Sequence, residues 1–254
     1  MMKALVTGAS SGIGYDIAKY LSTLGYDIIA VARNKKRLAD LKKQAAGNVV
    51  TVSMDLSRKK NCVALYEKYK DQDIDILVNG AGFGLYGMFL NTDLDTEIDM
   101  IKTNITALQI LTKLFYREMS AKNKGKIMNI ASAAGFLPGP MMSTYYASKA
   151  YVIRLTQAVN EEAKVSGSNV RLCVLCPGPV PTRFAQTAGL TSGLKGIPSE
   201  EVAKYAVDKM LAGRFMIVPG ALMKAARFFT KILPDSLTVK SAFALQRRKK
   251  KAEN

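Results

Sequence analysis

The chain alternates between short runs dense in β-branched and aliphatic residues and longer stretches whose apolar positions recur at helical spacing. The short runs predict strands at Lys3–Val6, Asp27–Ala32, Val49–Ser53, Ile74–Val78, Lys126–Ile130, Val170–Cys176 and Phe215–Val218. Most are too apolar to leave one face in water, as in parallel strands covered on both sides. Helices are predicted over 12–24, 35–46, 57–70, 96–121, 144–166 and 199–212. The rhythm is that of stacked βαβ units, a Rossmann-type doubly wound parallel sheet of about seven strands with helices on both faces. Two irregular segments, 80–95 and 177–198, follow strand C-termini, where open α/β sheets take their ligands. Residues 1–220 read as one such domain with a mobile lid near 183–198, including Gly189, Gly193 and Gly196. Residues 221–254 read as a basic amphipathic extension.

Composition narrows the chemistry. The 254 residues include no histidine, which excludes Ser-His-Asp and Cys-His nucleophile pairs and His-containing zinc or haem sites. A general acid or base must then be Tyr, Lys, Glu, Asp or Cys. Three cysteines cannot pair into a framework, and Met1-Met2-Lys3 runs straight into the first strand without an apolar leader, so a reducing, cytoplasmic location is expected. Cys173 and Cys176 form a C-x-x-C, but on one strand residues three apart face opposite sides of the sheet, so packing is expected rather than redox chemistry. No metal site is expected.

The net charge is +17, and the nine basic and two acidic residues of 221–254 supply +7 of it. Lys224, Arg227 and Lys231 recur at helical spacing opposite Leu222, Ala225, Phe229, Ile232 and Leu233, and the chain ends in Arg247-Arg248-Lys249-Lys250-Lys251. Such a segment either lies on an anionic membrane surface or packs on the protein or a neighbouring subunit with a solvated end. The basic balance attracts phosphate without sequence preference, and no recognition motif for nucleic acid accompanies it.

The first strand leads through Thr7-Gly8-Ala9-Ser10-Ser11-Gly12-Ile13-Gly14 directly into a helix. Gly8 permits a tight turn, Gly12 lets backbone N–H groups approach a pyrophosphate, and Gly14 lets the helix pack closely on the sheet. A bare strand-to-helix turn uses the same residues. After the second strand comes Arg33-Asn34-Lys35-Lys36-Arg37, without the carboxylate that takes a ribose 2′-hydroxyl; the Arg33 fork suits a 2′-phosphate, while its neighbours also read as a solvated helix start. Ser132 precedes Tyr145 by thirteen residues, and Tyr145 and Lys149 share a helical face, with Tyr146 pointing elsewhere. A lysine beside a tyrosine stabilises phenolate, yet the pair alone is also an ordinary amphipathic pattern.

Taken together these motifs resemble the short-chain dehydrogenase/reductase family over about residues 3–220. The resemblance implies that residues 7–14 cradle the cofactor, that Asp55 with Leu56 contacts adenine, and that Asn79-Gly80-Ala81-Gly82 corresponds to the family's NNAG, with Gly80 departing from it. It implies catalytic roles for Asn104, Ser132, Tyr145 and Lys149, and nicotinamide contacts from Pro177-Gly178-Pro179-Val180-Pro181-Thr182. The implied reaction is NADPH-dependent reduction of a ketone or aldehyde, or the reverse. Tyr145 serves as acid, Ser132 bonds the carbonyl oxygen, Lys149 holds the nicotinamide ribose and lowers the tyrosine pKa, and Asn104 supports a water beside Lys149. Assembly into a dimer or tetramer through the helices near 96–121 and 144–166 is implied as well. On the substrate side Phe83, Leu85, Tyr86, Met88, Phe89, Phe136, Leu137, Met141, Met142, Phe184 and Leu190 favour an apolar, steroid-like, 3-oxoacyl or other bulky carbonyl compound. The alternative on the same fold is a cofactor-binding scaffold or regulator at a membrane surface, without catalysis.

Overall fold

The computed structural model describes residues 2–190, 196–230 and 232–250, the side chains of 248–250 excepted. The expected strands form at β1 (Lys3–Thr7), β2 (Asp27–Ala32), β3 (Val49–Ser53), β4 (Ile76–Asn79), β5 (Lys126–Ile130), β6 (Arg171–Leu175) and β7 (Met216–Ile217). They make one seven-stranded sheet in the order β3-β2-β1-β4-β5-β6-β7, with every pairing parallel. Strand order reverses between β1 and β4, which opens the ligand crevice at their C-terminal ends.

Helices α1 (Gly12–Thr23), α2 (Lys35–Gln44) and α3 (Lys59–Tyr69) connect the first four strands. The predicted helix 96–121 is instead α4 (Leu94–Ile101) and α5 (Leu108–Ala121), joined by a π-helical stretch at Lys102–Ala107. An amphipathic pattern reports a helical face but is insensitive to one widened turn, and such turns concentrate at functional sites. Then follow α6 (Ser143–Val165), the single turn α7 (Phe184–Thr187) and α8 (Ser199–Leu211), with α9 (Ala221–Phe229) and α10 (Asp235–Lys250) in the C-terminal segment.

Period-2 alternation divides the core between the two faces of the sheet. Ala4, Val6, Ile28, Ala30, Ile76 and Val78 pack against Ile17 and Leu21 of α1 and Val202, Ala206 and Met210 of α8. Leu5, Ile29, Val31, Leu77 and Ile127 pack the other way, on Cys62 and Leu65 of α3 and Leu111 and Phe115 of α5. Cys173 and Cys176 fall in separate, buried clusters, as the strand period requires. The edge strand β3 departs from the expected full burial, leaving Val50, Thr51 and Ser53 exposed.

Helix α9 is mounted with its apolar stripe outward. Met223 and Ala226 turn toward the body of the protein, and the Arg227 guanidinium lies 5.8 Å from the Phe136 ring centre. Leu222, Phe229 and Ile232 are 76%, 55% and 63% exposed. Lys231 and residues 251–254 lie outside the described residues. Among the described residues no helix is long and apolar enough to cross a membrane, and no cluster of metal-ligating side chains occurs.

Candidate active site

A cleft of about 620 Å³ runs across the C-terminal ends of the strands. Its dinucleotide end is the β1–α1 turn. Gly8 has φ +71, and a Cβ there would enter the carbonyl of Gly80. A Cβ on Gly14 would stand 2.6 Å from the Gly8 oxygen, so only glycine lets α1 start this close to the strand. Thr7 Oγ1 accepts from the N–H groups of Gly80 and Ala81 at 3.0 and 3.2 Å, tying the β4 loop to the same turn. Ser11 caps α1 without a side-chain bond, and the first turn of α1 carries no acidic residue. Its free N–H groups and dipole therefore face the cleft as an anion site.

Ser10, Ser11, Gly12, Ile13, Gly14, Arg33, Asn34, Asp55, Leu56, Ala81, Gly82, Pro177, Gly178, Val180 and Thr182 all line this cleft, as does Gly8. Arg33 stands exposed after β2, and Asn34 Oδ1 caps α2 by accepting from Arg37 N–H at 3.1 Å. Burial pushes the Asp55 carboxyl up, but bonds from Ser57 and the charges of Arg33 and Arg58 outweigh it and hold the group below its ordinary value. Asn79 stands apart from these residues. Its side chain is not on the cleft wall: it is buried, donating to Thr112 Oγ1 at 3.0 Å and Asn129 Oδ1 at 2.9 Å. Asn129 continues the network to Thr156 of α6, so Asn79 braces the sheet against its helices.

At the other end Ser132, Tyr145 and Lys149 converge on the cleft. Ser132 follows β5 by two residues and caps the short helical turn 133–136, accepting from Ala134 N–H at 3.1 Å. Tyr145 and Lys149 sit one turn apart in α6, with Lys149 Nζ 5.7 Å from the Tyr145 ring centre and donating to the Ile130 carbonyl at 3.0 Å. Burial raises the Tyr145 phenol above its ordinary 10, while a bond to Ser132 acts in the opposite direction. Burial also lowers Lys149 to about 8. Desolvation thus disfavours the charged form of each group.

Asn104 stands in the π-helical stretch and is buried behind the cleft. Its carboxamide bonds both backbone groups of Phe83 and donates to Ser148 Oγ at 3.1 Å. A Cβ on Gly82 would lie 2.8 Å from Asn104 Oδ1 and 3.6 Å from Lys149 Nζ, so these three residues crowd one corner.

On the substrate side Phe83, Phe136, Leu137, Met142, Phe184 and Leu190 line the cleft as expected, but Leu85, Tyr86, Met88, Phe89 and Met141 do not. Met88 and Phe89 are exposed, and Leu85 and Tyr86 pack behind the wall. Tyr146, expected to point elsewhere, joins the lining. Sequence reasoning missed Met223, Ala226 and Thr230 of the α9 region and Ala242 and Leu245 of α10, all of which close this end. Their only signal was i, i+3 and i+4 spacing, masked by the stronger apolar stripe beside it. The segment 183–198 contributes α7 and a packed Ala188, whose carbonyl accepts from Tyr86 N–H; residues 191–195, Gly193 among them, lie outside the described residues.

The family model described as short chain dehydrogenase matches residues 2–192. The chain belongs to the short-chain dehydrogenase family. It is 34% identical over 214 residues to an uncharacterized oxidoreductase of Staphylococcus saprophyticus, covering 81% of this chain and 91% of that relative. It is 34% identical over 179 residues to a probable NADP-dependent dehydrogenase of Haemophilus influenzae, covering 69% and 70%. A solved short-chain dehydrogenase from Sphingobium yanoikuyae, in complex with NADPH, matches with TM-score 0.81 and 28% identity over 92% of this chain and 97% of its own. As a member of this family the protein is an oxidoreductase that uses a nicotinamide cofactor and acts between carbonyl and alcohol. The glycine turn, the open α1 N-terminus and Asp55 beside Arg33 fit such a dinucleotide.

Proposed function

We propose that this protein is an NADPH-dependent carbonyl reductase, or alcohol dehydrogenase in reverse, for bulky apolar substrates. The observation that carries the reading is the placement of Ser132, Tyr145 and Lys149 between an apolar chamber and a glycine-lined dinucleotide groove. Arg33 supports NADPH over NADH, because a permanently charged fork at the adenosine end matches a 2′-phosphate and no carboxylate stands in its place.

When bound, the nicotinamide supplies the hydride that a substrate carbonyl carbon accepts. Tyr145 donates a proton to the carbonyl oxygen as the C=O π pair moves onto it, and the high phenol pKa keeps that proton in place at neutrality. Ser132 Oγ hydrogen-bonds the same oxygen while negative charge develops. Lys149, at about 8, is largely protonated at neutrality and supplies the positive charge against which the resulting phenolate is held until it is reprotonated from solvent. Asn104 positions Phe83 on the chamber wall and Ser148 beneath the tyrosine. Phe83, Phe136, Phe184 and Met223 exclude water around the reacting carbonyl.

Tyr145→Phe tests the reading. NADPH oxidation with a panel of aromatic, 3-oxoacyl and steroid ketones should fall at least a hundredfold, while NADPH affinity by fluorescence titration stays within about threefold. Unchanged turnover would remove the tyrosine from its role.

The outward apolar stripe of α9, beside basic residues of the +7 segment, supports peripheral contact with anionic lipid. Replacing Phe228 and Phe229 by Glu should abolish sedimentation with anionic vesicles; equal sedimentation of both proteins would exclude that contact. We also infer assembly into a dimer or tetramer across α5 and α6; light scattering reads the number of subunits.

A further inference from the structure

Helix α10 is docked through small and polar side chains. Its buried positions are Thr238, Ala242 and Gln246, at i, i+4 and i+8, whereas Leu237 and Leu245 are 51% and 60% exposed. A helix held by an apolar core buries its leucines along that stripe. Among the described residues, Gln246 ties α10 to the body of the protein through both its side chain and its backbone carbonyl. Gln246 Nε2 donates to the Tyr146 hydroxyl at 2.6 Å, and the Gln246 carbonyl accepts from the Tyr86 hydroxyl at 3.0 Å.

These partners come from two different segments of the chain. Tyr86 belongs to the loop after β4, while Tyr146 lies in the first turn of α6 with its ring edge-on to Tyr145 at 6.2 Å between centres. Gln246 therefore ties α10 both to the loop after β4 and to α6, and Ala242 and Leu245 of the same helix face the cleft. The arrangement is not fully satisfied: Gln246 Oε1 is buried with no hydrogen-bond partner among the described residues. A helix whose buried described positions are small or polar, and that carries an orphaned acceptor, opens more readily than the core.

We propose that α10 is a movable end wall of the substrate chamber, and that Gln246 is the positioning residue through which its closure selects bulky apolar carbonyl compounds. The proposal rests on the reductase reading above. A substrate long enough to reach Ala242 and Leu245 contacts only the docked form and shifts the population toward it. Leu245 retains exposed apolar surface for such a substrate to cover. A small ketone reacts at Tyr145 without reaching the helix and is indifferent to its position.

The test uses the full chain with NADPH, comparing wild type, Gln246→Ala and Tyr86→Phe on benzophenone and acetone. Both variants should raise KM for benzophenone about tenfold, leave kcat within twofold, and leave KM for acetone unchanged. Amide exchange over α10 should be faster in both variants, and in wild type it should slow when benzophenone is added. Equal α10 exchange in wild type and Gln246→Ala, or a KM that rises equally for both ketones, would overturn the proposal. Should wild type reduce neither ketone, the reductase reading fails separately, and α10 exchange with and without benzophenone still decides: no protection by the ketone sinks the moving wall.

Discussion

The Asn104 carboxamide holds both backbone groups of Phe83: Oδ1 accepts from its N–H at 3.0 Å and Nδ2 donates to its carbonyl at 2.9 Å. This pairing imitates a strand ladder across 21 residues and fixes the loop after β4 against the π-helical turn. Asn104→Ala would leave two part-buried backbone groups of Phe83 without their side-chain partner, costing up to about 2–6 kcal/mol, since each buried orphan costs about 1–3. Thermal melts should show the loss, and KM for a bulky ketone should rise with it. A variant as stable as wild type would show that the loop is held by other means.

Arg33 is expected to separate the two nicotinamide dinucleotides. Charge-assisted hydrogen bonds contribute about 1.5–3 kcal/mol, so Arg33→Ala should weaken NADPH binding about tenfold to a hundredfold and leave NADH nearly unchanged. Parallel titrations decide it. Equal loss for both dinucleotides would assign Arg33 to the shared part of the molecule.

Lys149 makes stability depend on alkaline pH. Its folded value of about 8 lies below its ordinary 10.5. Below 8 the proton is present in both states and the folded protein bears the buried ammonium. Between 8 and 10.5 the unfolded chain binds more protons, so stability rises with pH by about 3 kcal/mol in all. Lys149→Met should therefore melt several degrees above wild type at pH 7, and the gap should shrink as pH rises past 8. A gap independent of pH would contradict the burial of this charge.

Gly14→Ala places a methyl group 2.6 Å from the Gly8 carbonyl, where backbone rather than a flexible side chain must yield. Overpacking of this kind costs about 1–3 kcal/mol. Melting temperature should fall, and NADPH affinity with it, because the same shift tilts the α1 N-terminus away from the phosphates. Wild-type affinity in a destabilised variant would separate packing from binding.

Much of this was legible locally. The short β-branched and aliphatic runs marked seven strands within a few residues, and the parallel order followed from helices between them. The glycine turn and the Tyr145–Lys149 pair are likewise short-range features, because strand and helix geometry alone put their atoms together. What escaped were properties carried by distant partners. Asn79 sits in a cofactor-like motif, yet its side chain is claimed by Thr112 and Asn129 from other elements.

The amino-acid sequence by itself determined the doubly wound sheet, the phosphate-binding turn and the residue types that meet at the cleft, since each depends on backbone periodicity or spacing within one or two turns. Tertiary structure alone decided that α9 turns its apolar stripe outward, that burial raises the Tyr145 phenol, and that Gln246 reaches Tyr146 and Tyr86 across 100 and 160 residues. Desolvation and long-range docking are set by what the rest of the chain packs around a side chain, and no local pattern records it.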